Sequence, residues 1–164
     1  MLELVIAGSM LAAVMTSLST VMRTARLSWD AADNDYAALH QAHSVARHFV
    51  RAVRESTGVN QLQSNGTDIE LRMRGGGTAS WRWAAQDSNG LNNVVILGGS
   101  TVPTETTLAH NVDRLRFVGY KADGVTVAAT ADDIHLLEVT VVVTLPRKSG
   151  SQKQVHSKVW IRSW

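Results

Sequence analysis

The sequence predicts an α+β protein in which one very long N-terminal helix is followed by an antiparallel β-sheet. Three observations carry this. The first 22 residues, MLELVIAGSMLAAVMTSLSTVM, contain a single charged side chain, Glu3. No Pro or Gly falls between Ser9 and Thr57, and from Trp29 to Val53 apolar residues recur every three or four positions. After Gly58 the pattern changes to strict alternation of apolar and polar residues, the period of a half-buried strand.

The opening segment sets the scale. At about 1.5 Å per residue, 22 helical residues span roughly 33 Å, enough for a bilayer core. Leu4–Met22 has no polar face, which argues against a buried core helix. The basic start, shorter apolar core and small-residue cleavage site of a cleaved secretory signal are not seen in it.

The apolar run ends at Arg23, but nothing there ends the helix. Trp29, Ala32, Tyr36, Leu39, Ala42, Ala46, Phe49, Val50 and Val53 form one stripe. Asp30, Asp33, Asp35, His40, Arg47, Arg51 and Arg54 lie off it. Gly58 is the expected stop, with Arg51 and Arg54 suited to the C-terminal end of the dipole. The prediction is a helix of about 55 residues, roughly 80 Å long. The division is a membrane or filament-core segment, 1–26, and a globular domain, 27–164. Within the domain an amphipathic half-helix, 27–57, packs on a sheet, 58–164. Tyr36, Leu39, Phe49 and Val53 are the expected helix-to-sheet core.

The strands follow from alternation. Ile69, Leu71 and Met73 alternate with Glu70, Arg72 and Arg74. Trp81 and Trp83 alternate with Ser80, Arg82 and Ala84, and Gly75-Gly76-Gly77 between the two runs makes a hairpin turn. Asn92–Leu97 and Asp113–Tyr120 read as further strands, with a turn at Ala122–Gly124. Leu137, Val139, Val141, Val143 and Leu145 share one face of a strand ending at Pro146. RKSGSQKQ links it to a last strand, Val155–Arg162.

Composition narrows the function. The 164-residue chain has a net charge of +2, which does not argue for nucleic acid. It has no cysteine, which excludes a disulfide framework and a zinc–thiolate site. No motif for a nucleophile elbow, a phosphate-binding loop, a zinc protease or a dinucleotide fold occurs, and no enzymatic role is expected. His40 and His43 sit three apart on a helix without a third ligand, and Asp30, Asp33 and Asp35 lack the turn and closing Glu of a calcium loop. Both groups read as solvated helix face, so neither metal nor cofactor is expected. Asn65-Gly66-Thr67 reads as a turn rather than a glycan acceptor. The Arg and Trp residues of LRMRGGGTASWRW have the types that bind single strands. Their alternation, however, is what a half-buried strand needs, and a nucleic-acid partner is not expected.

The stretch MLELVIAGSMLAAVM resembles the N-terminus of type IV pilins and of the related type II secretion pseudopilins. Glu3, followed by Leu4, Val5, Ile6 and Ala7, matches the Glu and apolar helix of that family. DRLRFVGYKADG and LLEVTVVVTLPRKSG more loosely resemble the paired C-terminal strands of J-type minor pseudopilins. The resemblance implies a pilin-like fold and a structural subunit of a secretion pseudopilus, anchored in the bacterial inner membrane by a single pass. Its domain would lie in the periplasm or in an extracellular filament. The implied partners are other pilin or pseudopilin subunits, the inner membrane and the secretion or pilus assembly platform. A minor or major pilin of a type IV pilus is the alternative. A membrane-tethered binding domain is the alternative of another class, but a plain anchor would need neither Glu3 nor an unbroken helix into the sheet.

Two departures accompany the match. Only two residues precede Glu3 where the family has four, so a precursor start further upstream is expected. No Pro interrupts the apolar helix, so no sharp kink is expected there. Some pseudopilins use calcium, and Asp132-Asp133 is the acidic pair that would join such a site.

Glu3 acquires a purpose from the resemblance. A carboxylate costs about 2.5–3.5 kcal/mol at the centre of a bilayer and less near its edge. The amino terminus of a staggered neighbour would neutralise it and fix axial register. Leu2, Leu4, Val5, Ile6, Leu11, Val14 and Leu18 would form the surrounding membrane or filament-core contacts. Arg23 and Arg26 follow the span. The positive-inside rule would keep them in the cytoplasm, whereas a basic leader of the kind the family carries would reverse that bias.

Overall fold

A computed structural model describes residues 2–86, 90, 92–102, 104–145 and 151–161. The predicted α+β architecture is present, with a single long helix packed on antiparallel strands. Helix α1 runs Leu2–Glu55 without a break. It is followed by β1 (Ser56–Leu62), β2 (Asp68–Met73), β3 (Thr78–Gln86), β4 (Asn92–Gly98), β5 (Thr106–Ala109), β6 (Val112–Tyr120), a 3-10 turn (Ala131–Asp133), β7 (Leu136–Thr144) and β8 (Gln152–Trp160).

The strands form two sheets rather than the one expected: five strands in the order β1-β2-β3-β4-β5, and three in the order β6-β7-β8. The chain switches sheets between Ala109 and Val112, where Asn111 takes a positive φ of 57°. Among the described residues, two hydrogen bonds tie the sheets together. The Trp83 indole N–H donates to Val112 O at 2.7 Å. Phe117 N–H donates to Gly66 O, also at 2.7 Å.

The core sits where α1 crosses both sheets. Ala42, Val45, Ala46, Phe49, Ala52 and Val53 of the helix are buried against Ile69, Leu71 and Trp81 of one sheet and Leu115, Phe117, Leu137, Val139, Val141 and Val143 of the other. Phe49 and Val53 are fully buried, as the stripe predicts, and Leu39 packs at the core's margin. Tyr36 does not belong to the core: it is 67% exposed. The sheets begin to cover α1 only at Ala38 and Leu39, so the apolar stripe outruns its cover and Trp29 and Tyr36 are left without one.

The end of α1 differs from the Gly58 stop. The helix ends at Glu55, and β1 begins at the next residue. Ser56 is buried, and its Oγ donates to Val53 O at 2.8 Å, bonding a last-turn carbonyl that the helix leaves open. Gly58 lies inside β1, at a bulge against β2.

The predicted hairpin is found with Ile69 opposite Trp81 and Leu71 opposite Ala79. Gly76 and Gly77 adopt φ of 84° and 82° in its turn, a left-handed conformation that glycine reaches without strain. The 65–67 turn is also as expected. Asn65 Oδ1 accepts from Thr67 N and Thr67 Oγ1 at 3.0 and 2.9 Å. Strand β8 begins at Gln152, earlier than the expected Val155, because Lys153 and Gln154 continue the ladder opposite Val143 and Val142. Pro146, the linker up to Gly150, and Arg162 lie outside the described residues.

Candidate assembly surface

The apolar half of α1 is a surface without an intramolecular partner. Every described residue from Leu2 to Asp30 is exposed, including Glu3, Leu4, Val5, Ile6, Leu11, Val14 and Leu18. Among the described residues this is the one helix long and apolar enough to cross a membrane.

Local hydrogen bonding makes the segment more apolar than its composition suggests. Ser9 Oγ donates to Ile6 O at 2.8 Å. Thr16, Ser17, Thr20 and Thr24 donate to Ala12 O, Ala13 O, Thr16 O and Thr20 O at 2.8–2.9 Å. Each hydroxyl is thereby satisfied within the helix and turns its carbon atoms outward. An unsatisfied hydroxyl in hydrocarbon would oppose insertion. Among the described residues Glu3 has no comparable internal solution. Its carboxylate projects from the first turn of the helix, and no Lys or Arg precedes Arg23.

The polar half-helix is docked on one side and solvated on the other. Gln41 bridges to the loop between β5 and β6, accepting from His110 N at 3.2 Å. Arg51 and Glu55 pair at 3.2 Å on the exposed face. His48 leans on Trp81, ring centroids 5.8 Å apart, and loss of water together with the Arg51 charge lowers its pKa below the ordinary 6.5. Trp29 and Tyr36, seven residues apart and so on one face, extend the apolar surface of the span toward the domain.

The other sequence-level candidates separate from one another. Trp81 is buried in the core while Trp83 is half-buried, so the Arg–Trp hairpin offers no pair of free indoles for stacking. Arg82 is engaged with Glu105 at 3.1 Å. His40 and His43 are exposed on α1, and Asp132 and Asp133 are exposed in the 3-10 turn. Among the described residues, no three His, Cys, Asp or Glu side chains cluster to hold a metal. A cleft of about 270 Å³ between the β1–β2 turn and the 127–134 segment contains one ionic side chain, Arg116.

Sequence reasoning did not single out the outer face of the three-stranded sheet. There Glu138 accepts from Tyr120 Oη at 2.9 Å and meets Lys158 Nζ at 3.2 Å, with His156 at 3.7 Å. Partial burial raises the Glu138 pKa, but the Tyr120 and Lys158 hydrogen bonds and the Lys158 charge outweigh it and leave the pKa lowered. The register pairs Val118, Glu138 and Lys158 across three strands, and only strand pairing reveals that neighbourhood. Against known proteins, no family model matches the chain, and no curated protein matches it significantly.

Proposed function

We propose that the chain is a structural subunit of a membrane-anchored filament, specifically a minor pseudopilin of a type II secretion system. Its N-terminal helix inserts in the bacterial inner membrane and later packs in the filament core. The observation that carries this reading is the continuity of α1: an exposed apolar half, with a carboxylate at Glu3 and five of its hydroxyls bonded within the helix, runs unbroken into a half that anchors two sheets. An anchor alone would call for a span, not for a rigid extension of the domain's own central helix or a carboxylate in its first turn.

In this reading the helix has two successive solvents. In the membrane its side chains meet lipid, and in the filament they meet the same apolar surfaces of neighbours. Transfer between the two changes apolar burial little, which makes extraction and reinsertion feasible. Glu3 supplies the register, because its charge is best satisfied where a neighbour's amino terminus lies beside it. The chain has no cysteine, so single substitutions at Leu11 and Val14 give unambiguous crosslinks. In cells with the partner subunits, both positions should crosslink to the apolar helices of other subunits. Crosslinks absent at both positions, with the chain present in the membrane, would contradict assembly through this helix.

A further inference from the structure

We propose that the free edge of β8 docks an extended acidic segment of a partner protein, which adds a fourth strand to the three-stranded sheet. This inference does not depend on how the N-terminal helix assembles.

The sheets have four edges, and three are blunted. The β1 edge is broken by register shifts at Ser56/Gly58 and Val59/Gln61. The β5 edge is four residues long. The β6 edge is occupied, since Phe117 N–H donates to Gly66 O and Val112 O accepts the Trp83 indole. β8 is different. Its nine residues, Gln152–Trp160, pair with β7 residue for residue without a shift. It contains no Pro, and among the described residues no strand pairs with its other side. A long regular edge is a template for another strand unless a bulge, a proline, a cover or charge prevents it. Among the described residues α1 packs on the inner face of this sheet, where Val155 and Val159 join the core, and what the edge itself presents against pairing is charge, as Lys153, His156 and Lys158.

Charge selects the occupant. Antiparallel pairing of two β8 strands about their centre sets His156 opposite His156 and Lys158 opposite Gln154 with His156 diagonal to it, and β8 has no acidic residue to answer them, which disfavours a second copy. The neighbouring surface has the same sign. Arg114 and Arg116 share the outer face with His156 and Lys158, and the carboxylate between them, Glu138, is already engaged by Tyr120 and Lys158. An incoming strand with Asp or Glu at alternate positions would set its carboxylates beside His156 and Lys158 while its main chain takes up the unused ladder. A single-stranded nucleic acid would use the charge but not the ladder. It would also find the Tyr120 ring covered by the Lys158 ammonium, 4.9 Å from its centroid.

The test uses the full chain in detergent micelles and amide hydrogen exchange as the readout. The probes are a capped nine-residue peptide alternating Glu and Val, the same peptide with Lys in place of Glu, and an oligothymidylate. The acidic peptide should slow exchange at alternate amides of β8 and leave β1 and β5 unchanged. Gln154→Glu combined with His156→Glu, both exposed on the face that the carboxylates would occupy, should weaken that protection roughly tenfold, the scale of two exposed ion pairs. No protection by the acidic peptide, equal protection by the basic one, protection by the oligonucleotide alone, or unchanged binding in the double variant would each overturn the proposal.

Discussion

Phe49 meets Trp81 edge to face, ring centroids 5.4 Å apart at 86°, and on its other side lies 4.8 Å from Phe117. Trp81 belongs to the five-stranded sheet and Phe117 to the three-stranded one, so a single helix residue joins both. Phe49→Ala should therefore cost about 3–5 kcal/mol, a large share of the stability of a domain this size. Arg51→Ala removes only an exposed i,i+4 pair and should cost a few tenths of a kcal/mol. Thermal unfolding of the two variants compares them directly, and equal shifts would contradict the packing of this face.

Gly66 and Gly76 both have positive φ, 71° and 84°, but their surroundings differ. A Cβ on Gly66 would stand 2.6 Å from Phe117 O, a backbone atom, whereas one on Gly76 would meet nothing within 4 Å. Gly76→Ala should cost about 1–2 kcal/mol for the left-handed conformation alone. Gly66→Ala should cost clearly more, because the turn must also withdraw from β6. Denaturant midpoints for the pair measure the difference.

Asp123 holds the loop after β6. Its carboxylate accepts from Thr126 Oγ1 at 2.5 Å and from Val125 and Thr126 N–H, each at 2.9 Å. These bonds favour the charged form and lower its pKa from 3.8 to about 2. A depressed carboxylate stabilises above its unfolded pKa and loses that contribution as pH falls through the folded one. Order in the 121–128 loop should thus persist at pH 5 and fade between about pH 4 and 2. A side-chain carboxyl titration by NMR should place the Asp123 midpoint near the low end, and Thr126→Val should move it upward.

Removing the segment before Ala38 should barely change the stability of the domain. Trp29 and Tyr36 are 78% and 67% exposed, and the apolar packing of α1 on the sheets begins only beyond them, at Ala38. Fragments beginning at Leu27 and at Ala37 should unfold cooperatively at temperatures within a few degrees of each other, with the shorter one more soluble. A large loss in the shorter fragment would show that the 27–36 turns are folded against the domain.

Much of this architecture is legible in the sequence because two periods dominate it. The helix is marked by steps of three and four residues and by the absence of Pro and Gly. β2, β3, β6 and β7 are marked by alternation that burial enforces. What escapes is what burial does not pattern. β1, STGVNQL, is mostly polar and bulged, and β5 has four residues, so neither shows a period. The split into two sheets depends on which edges meet, and no local pattern records that. The expectation for Tyr36 failed for a related reason. An apolar stripe says that something covers the residue, not that the cover belongs to the same chain. Val45 and Ala52, buried but missed by the stripe, show that the covered face is turned toward the 42/45/49/52 line. At the assembly surface, the exposed span was readable from composition, while the bonds that satisfy five of its hydroxyls required the helix itself.

The most direct measurement is the filament incorporation of Glu3→Leu. The substitution removes the cost of placing a carboxylate near lipid, so membrane insertion should be at least as good as in the parent chain. The domain, whose apolar helix packing begins at Ala38, should fold unchanged. What is lost is the charge that fixes axial register. Subunits should remain in the membrane, and crosslinks from the apolar helix to other subunits should fall to a small fraction of the parent level. Glu3→Asp should be intermediate, since its charge remains on a side chain shorter by one methylene. Membrane fractionation with crosslinking at Leu11 or Val14 reads both quantities in the same cells. Normal insertion with lost crosslinks is the predicted result. Parental levels of crosslinked filament in Glu3→Leu would contradict the pairing of Glu3 with a neighbour and leave it as a marker of the membrane edge.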